Sequence, residues 1–186
     1  MQIVFFGDSL TAGYGLRNPA LESMPSLIQQ KINNDGIAAT VINAGLSGDT
    51  TGGGVSRIDR LLHHPIDIFI LELGINDAIR GIPQQTSLRN LQVILDKVKT
   101  AHPNVKMALL GMEIPSFLKG PFAEEFKAIF RQLAAVNNMG FVPFMLAGVA
   151  GIKQLNLPDR LHPNAEGYKI IANNVWPVVR KLVLSQ

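Results

Sequence analysis

Val4-Phe5-Phe6-Gly7-Asp8-Ser9-Leu10-Thr11-Ala12-Gly13 runs from an unbroken apolar stretch into a glycine-containing turn, and the residue released at that junction is a serine. In an open α/β sheet the reactive crevice lies outside the carboxyl ends of the strands. A hydroxyl at the tip of the first strand therefore faces the crevice rather than the core. Working outward, further short β-rich runs follow Ile3–Phe6 at Thr40–Asn43, Ile68–Glu72, Lys106–Leu110 and Phe141–Phe144. Helix-period segments fall between and after them, at Met24–Asn34, Thr51–Leu62, Gln85–Ala101, Phe122–Asn137 and Asn164 to about Leu184. This βαβα rhythm predicts an α/β protein with a parallel sheet covered on both faces. Pro177 removes one intrahelical hydrogen bond from the last segment, which is expected to bend or to break into two pieces there. Irregular stretches at Gly13–Ser23, Gly111–Pro121 and Gly148–Asp159 are expected to border the crevice and wall the substrate.

The 186 residues fit one domain spanning 1–186, large enough for a single core without staples. The absence of cysteine excludes disulfides, thiolate-bound metals and a cysteine nucleophile. A net charge of +3 comes from scattered Lys and Arg, which reads as solvated surface and predicts no nucleic-acid partner. The longest uncharged apolar stretches carry Pro or Gly and are too short to span a bilayer, so a soluble protein without stable membrane insertion is expected. Met1 leads straight into the first strand with no signal-peptide pattern; the expectation is a cytoplasmic chain, or a periplasmic or secreted one whose leader was removed.

A serine nucleophile needs a neutral imidazole to take its proton, and the chain has four histidines. His63, His64 and His102 end helices that lead into strands, which places them at the amino edge of the sheet, away from the crevice. His162 follows the last strand and opens the last helix, on the Ser9 edge; its plainer reading is a helix-capping histidine before Pro163. Asp159, three residues earlier, can accept a bond from one ring nitrogen and leave the other facing Ser9. Of eight serines, Ser47 and Ser116 are the competitors in crevice loops; Ser23, Ser26, Ser56 and Ser87 sit at or within helices. Oxyanion donors can come from two turns on the same edge. One is Asn43-Ala44-Gly45-Leu46-Ser47-Gly48-Asp49-Thr50, where glycine lets a backbone N–H approach closely; the other is Gly74-Ile75-Asn76-Asp77, where Asn76 can aim its amide inward. Either turn alone is ordinary βα chemistry. No phosphate loop, complete dinucleotide fingerprint, zinc-protease helix or G-x-S-x-G elbow is present.

These four blocks, in this order and over nearly the whole chain, resemble the GDSL or SGNH hydrolases, most of all the bacterial thioesterase I, lysophospholipase L1 and arylesterase group. Gly7-Asp8-Ser9-Leu10 is similar to the nucleophile block, Gly48 to the glycine donor, Gly74-Ile75-Asn76-Asp77 to the asparagine block and Asp159-Arg160-Leu161-His162-Pro163 to the acid–base block. The resemblance implies a flavodoxin-like three-layer α/β/α sandwich with a parallel five-stranded sheet. It implies a Ser9–His162–Asp159 triad without metal or cofactor, and an oxyanion hole from the amides of Ser9 and Gly48 and the Asn76 side chain. It further implies Asp8 and Asp77 as organisers of their turns, and Leu10, Met112, Ile114 and Leu161 as the acyl-chain wall; Phe117 and Leu118 add apolar surface that favours acyl chains. The expected partner is a small acyl ester or thioester acted on by a monomer, with hydrolysis rising through the ordinary imidazole range as the base becomes neutral. The same residues also fit an acyltransferase or a carbohydrate deacetylase. A non-catalytic flavodoxin-like domain binding a nucleotide or flavin leaves the placement of Ser9, Asp159 and His162 without a reason.

Overall fold

The computed structural model describes residues 1–114 and 121–185. Five strands, β1 (Gln2–Gly7), β2 (Thr40–Gly45), β3 (Ile68–Glu72), β4 (Lys106–Leu110) and β5 (Gly140–Val142), form one parallel sheet in the order β2-β1-β3-β4-β5. The chain therefore winds one way from β1 and then the other, so the crevice opens beyond β1 and β3, where ligands settle in such sheets. Register reinforces this: Gly7 pairs with Gly45 on one side and Glu72 on the other, so three strands end level and deliver three turns to one rim.

The inner strands are apolar because helices cover both faces. In β1, Ile3, Val4, Phe5 and Phe6 are buried, as is every residue of β3. Fully burying such side chains contributes about 1.5–3 kcal/mol each relative to leaving them exposed. Helix α3 (Met24–Asn34) packs with α8 (Ala165–Leu184) in one layer, and α4 (Thr51–Arg57), α6 (Gln84–Ala101) and α7 (Pro121–Val136) pack in sequence in the other. This is the three-layer α/β/α sandwich. Short helices α1 (Ser9–Ala12), α2 (Pro19–Glu22) and α5 (Ile75–Ile79) complete the rim, in stretches that the sequence pattern assigns to loops and turns. They are one or two turns long and anchored by partners from elsewhere in the chain, so they carry no periodicity of their own.

Three boundaries differ from expectation. The helix expected over Thr51–Leu62 is α-helical only to Arg57; a 3-10 turn, Ile58–Arg60, follows, with Leu61 donating to the Ile58 carbonyl. The fifth strand ends at Val142 because Pro143 has no N–H to continue the ladder. Helix α8 runs through Pro177 as one element rather than two. Pro177 and Asn173, whose carbonyl the ring leaves without an N–H, both lie on the exposed side, where the carbonyl is open to solvent rather than buried unpaired. Tyr168, Ile171, Val175 and Val179 of α8 are buried as its periodicity predicts, and Val178 is half-buried. Among the described residues no helix is long and apolar enough to cross a membrane.

Candidate active site

Ser9 is the first residue of α1, and its direction is set by Asp8, whose side chain caps the helix by accepting from the Leu10 N–H at 3.0 Å. Gly7 must be glycine because a Cβ there would run into Thr11 and the Glu72 carboxylate. Across the rim, the Asp159–His162 segment is folded on itself. Asp159 Oδ1 accepts from the backbone N–H of Leu161 (2.9 Å) and His162 (3.0 Å), while Oδ2 meets His162 Nδ1 at 2.7 Å. Leu157 donates to the His162 carbonyl at 2.8 Å, and Asn164 caps α8 through the Gly167 N–H. The imidazole is thus held at both backbone and ring. Its Nε2 lies 3.0 Å from Ser9 Oγ. With the Nδ1 proton directed to Asp159, Nε2 carries the lone pair and Ser9 donates to it. Burial raises the Asp159 carboxyl, but the two amides and the imidazole outweigh it and hold the group below its ordinary value.

Behind the serine lies a second acidic layer. Asp8 is fully buried and accepts from Asn76 Nδ2 at 2.9 Å through Oδ2. Burial pushes its carboxyl up to about 6, against the Leu10 N–H, His162 and Asn76, which pull it down. Glu72 is also fully buried; its Oε2 accepts from the Asp8 N–H (3.2 Å) and Thr11 Oγ1 (2.8 Å), and its Oε1 has no partner. Desolvation, then the Asp8 charge, raise Glu72 well above the carboxylate range. A charge on Asp8 opposes ionisation of Glu72.

Asn76 projects from α5, which is pinned by the buried Asp77. Asp77 accepts from the Thr51 N–H at 2.8 Å, from the Thr51 hydroxyl, and from Ser87 Oγ at 3.1 Å. The Asn76 amide has two hydrogens, so one remains for a ligand beyond the bond to Asp8. Gly48 sits in the exposed turn after β2 at φ +79°, a backbone that favours glycine. Its carbonyl accepts from Arg80 at 2.7 Å; Arg80 caps α5, so the turns that carry Gly48 and Asn76 are tied together. Among the described residues no hydrogen bond within the chain takes up the backbone N–H of Ser9 or Gly48.

Ser9, Asn76 and His162 open on one cleft of about 1090 Å³, and Leu10, Met112, Ile114 and Leu161 are among the residues that line it. Gly48 belongs to the adjoining turn and is not among the cleft-lining residues. Ser47 is exposed in that same turn, and His63 and His64 are exposed in the turn before β3. Ser116, Phe117 and Leu118 lie outside the described residues. Among the described residues no group of three or more His, Asp or Glu is arranged to hold a metal ion. Several supporting residues escaped the sequence reading. Besides Glu72 and Arg80, Arg57 pairs with Asp49 at 2.6 Å, donates to the carbonyls of Ala44 and Gly7, and lies over the Phe6 ring, joining the ends of β1 and β2. Only Glu72 left a signal, as the one charge closing an otherwise apolar strand.

An arylesterase of Vibrio mimicus is 34% identical over 94% of this chain and 86% of its own length. "Thioesterase 1/protease 1/lysophospholipase L1" of Escherichia coli K12 is 34% identical over 97% of this chain and 84% of its own. The crystal structure of TesA shares the fold with a TM-score of 0.92 at 30% identity, covering 98% of this chain and 99% of that one. The family model that matches residues 5–170 is that of the GDSL-like lipases and acylhydrolases, and this chain belongs to that family.

Proposed function

We propose that this chain is a serine esterase that cleaves carboxylic esters and thioesters through an acyl-enzyme. Ser9 Oγ attacks the carbonyl carbon while its proton passes to His162 Nε2. Asp159 keeps the imidazole in the tautomer that accepts it. The N–H groups of Ser9 and Gly48 and the Asn76 amide take the charge that collects on the carbonyl oxygen. As the tetrahedral species collapses, His162 returns the proton to the departing alkoxide or thiolate, which leaves as alcohol or thiol. Water, deprotonated by the same imidazole, then attacks the acyl-serine and releases the acid. The observation that carries this reading is the continuous relay of 3.0 Å and 2.7 Å from Ser9 through His162 to Asp159.

The apolar cleft wall favours acyl chains, and the relatives' names extend the substrate set to aryl esters, acyl thioesters and lysophospholipids. The protein acts as a single domain and a monomer, without nucleic acid. A panel of these three substrate classes at graded acyl length, run beside Ser9→Ala, tests the proposal. Ser9→Ala is expected to lose both turnover and covalent labelling by a fluorophosphonate probe. Persistent labelling would move the nucleophile to Ser47 or Ser116. Preferential capture of the acyl group by an added alcohol would make the enzyme an acyltransferase.

A further inference from the structure

Tyr14 is 51% exposed, whereas the other tyrosine of the chain, Tyr168, is fully buried. Its surface position is nonetheless closely specified. The N–H groups of Gly13 and Tyr14 both donate to the Ser9 carbonyl, at 3.0 and 3.1 Å, so the turn carrying the ring is closed by the backbone of the nucleophile itself. Gly13 and Gly15, on either side, have φ of +80° and +74°, conformations that side chains resist. A Cβ on Gly15 would collide with Leu157, the residue whose N–H holds the His162 carbonyl. One short turn thus touches both the nucleophile segment and the histidine segment. Between them it places the Tyr14 ring 4.6 Å from the His162 ring, centroid to centroid, with the planes tilted by 48°.

We propose that Tyr14 is a positioning residue for the reaction. Its ring covers one side of His162 and its electron-rich face stabilises the imidazolium that exists only while Ser9 is being acylated or deacylated. The proposal rests on the esterase reading above. A cation within about 6 Å of an aromatic centroid is attracted by the ring quadrupole, modestly where the pair is half in water. The other groups facing His162 are Asp159 at Nδ1, the Ser9 hydroxyl at Nε2, and the buried Asp8 carboxyl behind Ser9. Arg160 is two residues away on the same segment. Asp8 and Asp159 also favour the charged ring, so Tyr14 adds to them without supplying a proton or a hydrogen bond. Because the imidazolium forms after binding, removing the ring acts on kcat and not on KM.

The test compares Tyr14→Leu, which keeps apolar cover without π electrons, with Tyr14→Phe, which keeps the ring. Both are assayed with a short aryl ester across pH, beside Ser9→Ala and a thermal-unfolding control. Tyr14→Leu is expected to lower kcat about two- to fivefold, with KM within a factor of two. It should also move the acid limb of the rate profile down by roughly half a pH unit, because the protonated ring has lost a stabilising neighbour. Tyr14→Phe should match wild type in both readouts. Three results would overturn the proposal: Tyr14→Leu with unchanged kcat and profile, a loss shared equally by Tyr14→Phe, or a change confined to KM. An active, fluorophosphonate-labelled Ser9→Ala protein would instead overturn the assignment of Ser9 as the nucleophile, and is read separately.

Discussion

Replacing Glu72 by glutamine should make the protein's stability less sensitive to rising pH. Glu72 has no exposed surface, one oxygen receives two donors, and the other receives none. Burial, reinforced by the Asp8 charge, raises the group well above its ordinary value in the folded state. In the unfolded chain it ionises at its usual value, near 4.3. The folded state therefore binds more protons, so stability from this group is fully present below the unfolded value and is lost as pH rises toward the folded one. The slope is ~1.4 kcal/mol per pH unit throughout that window. Glutamine is neutral in both states. Its buried amide shifts the absolute stability by an amount that does not change with pH, so the slope isolates the proton. Denaturant unfolding of wild type and Glu72→Gln at pH 5, 6 and 7 should show the variant gaining on wild type as the pH rises, by at most the ~1.4 kcal/mol per unit that one proton supplies. Parallel stability curves would refute the reasoning, since they would mean that Glu72 is ionised in the folded protein.

Two further outcomes follow from the rim. Asn76→Ala removes the side-chain donor of the proposed oxyanion hole, and kcat should fall by about 10²- to 10³-fold with little change in KM; a tenfold loss or less would mean that the backbone amides carry the oxyanion unaided. Asp159→Asn retains an oxygen for the Leu161 and His162 amides but cannot hold the Nδ1 proton in place. It should therefore lower kcat by about 10³-fold or more while leaving fluorophosphonate labelling slow but detectable, and near-normal turnover would show that the imidazole is oriented by its backbone anchors alone.

How far the site could be read in advance depended on the range of each interaction. Ser9 was legible because the apolar run before it and the turn residues after it are local signs of a strand end. His162 was legible by elimination, since the alternation of strands and helices assigns each histidine to one edge of the sheet. Asp159 and His162 are three residues apart and form a unit that a single turn can close. Pro177 shows the opposite case. The local rule is sound, but its cost depends on whether the orphaned carbonyl meets water, which a residue pattern does not state.

Residue order by itself determined the parallel α/β architecture and the sheet edge that Ser9 and the Asp159–His162 segment share, because strand ends, turn glycines and hydrophobic period are properties of contiguous residues. Only the tertiary structure decided the supports: Glu72 beneath Asp8, Arg80 on Gly48, Arg57 across two strand ends and Tyr14 on His162. Each joins side chains or backbone groups from separate segments. Their effects arise from desolvation and from fields between groups brought within a few ångströms, quantities that do not exist until the chain has closed on itself.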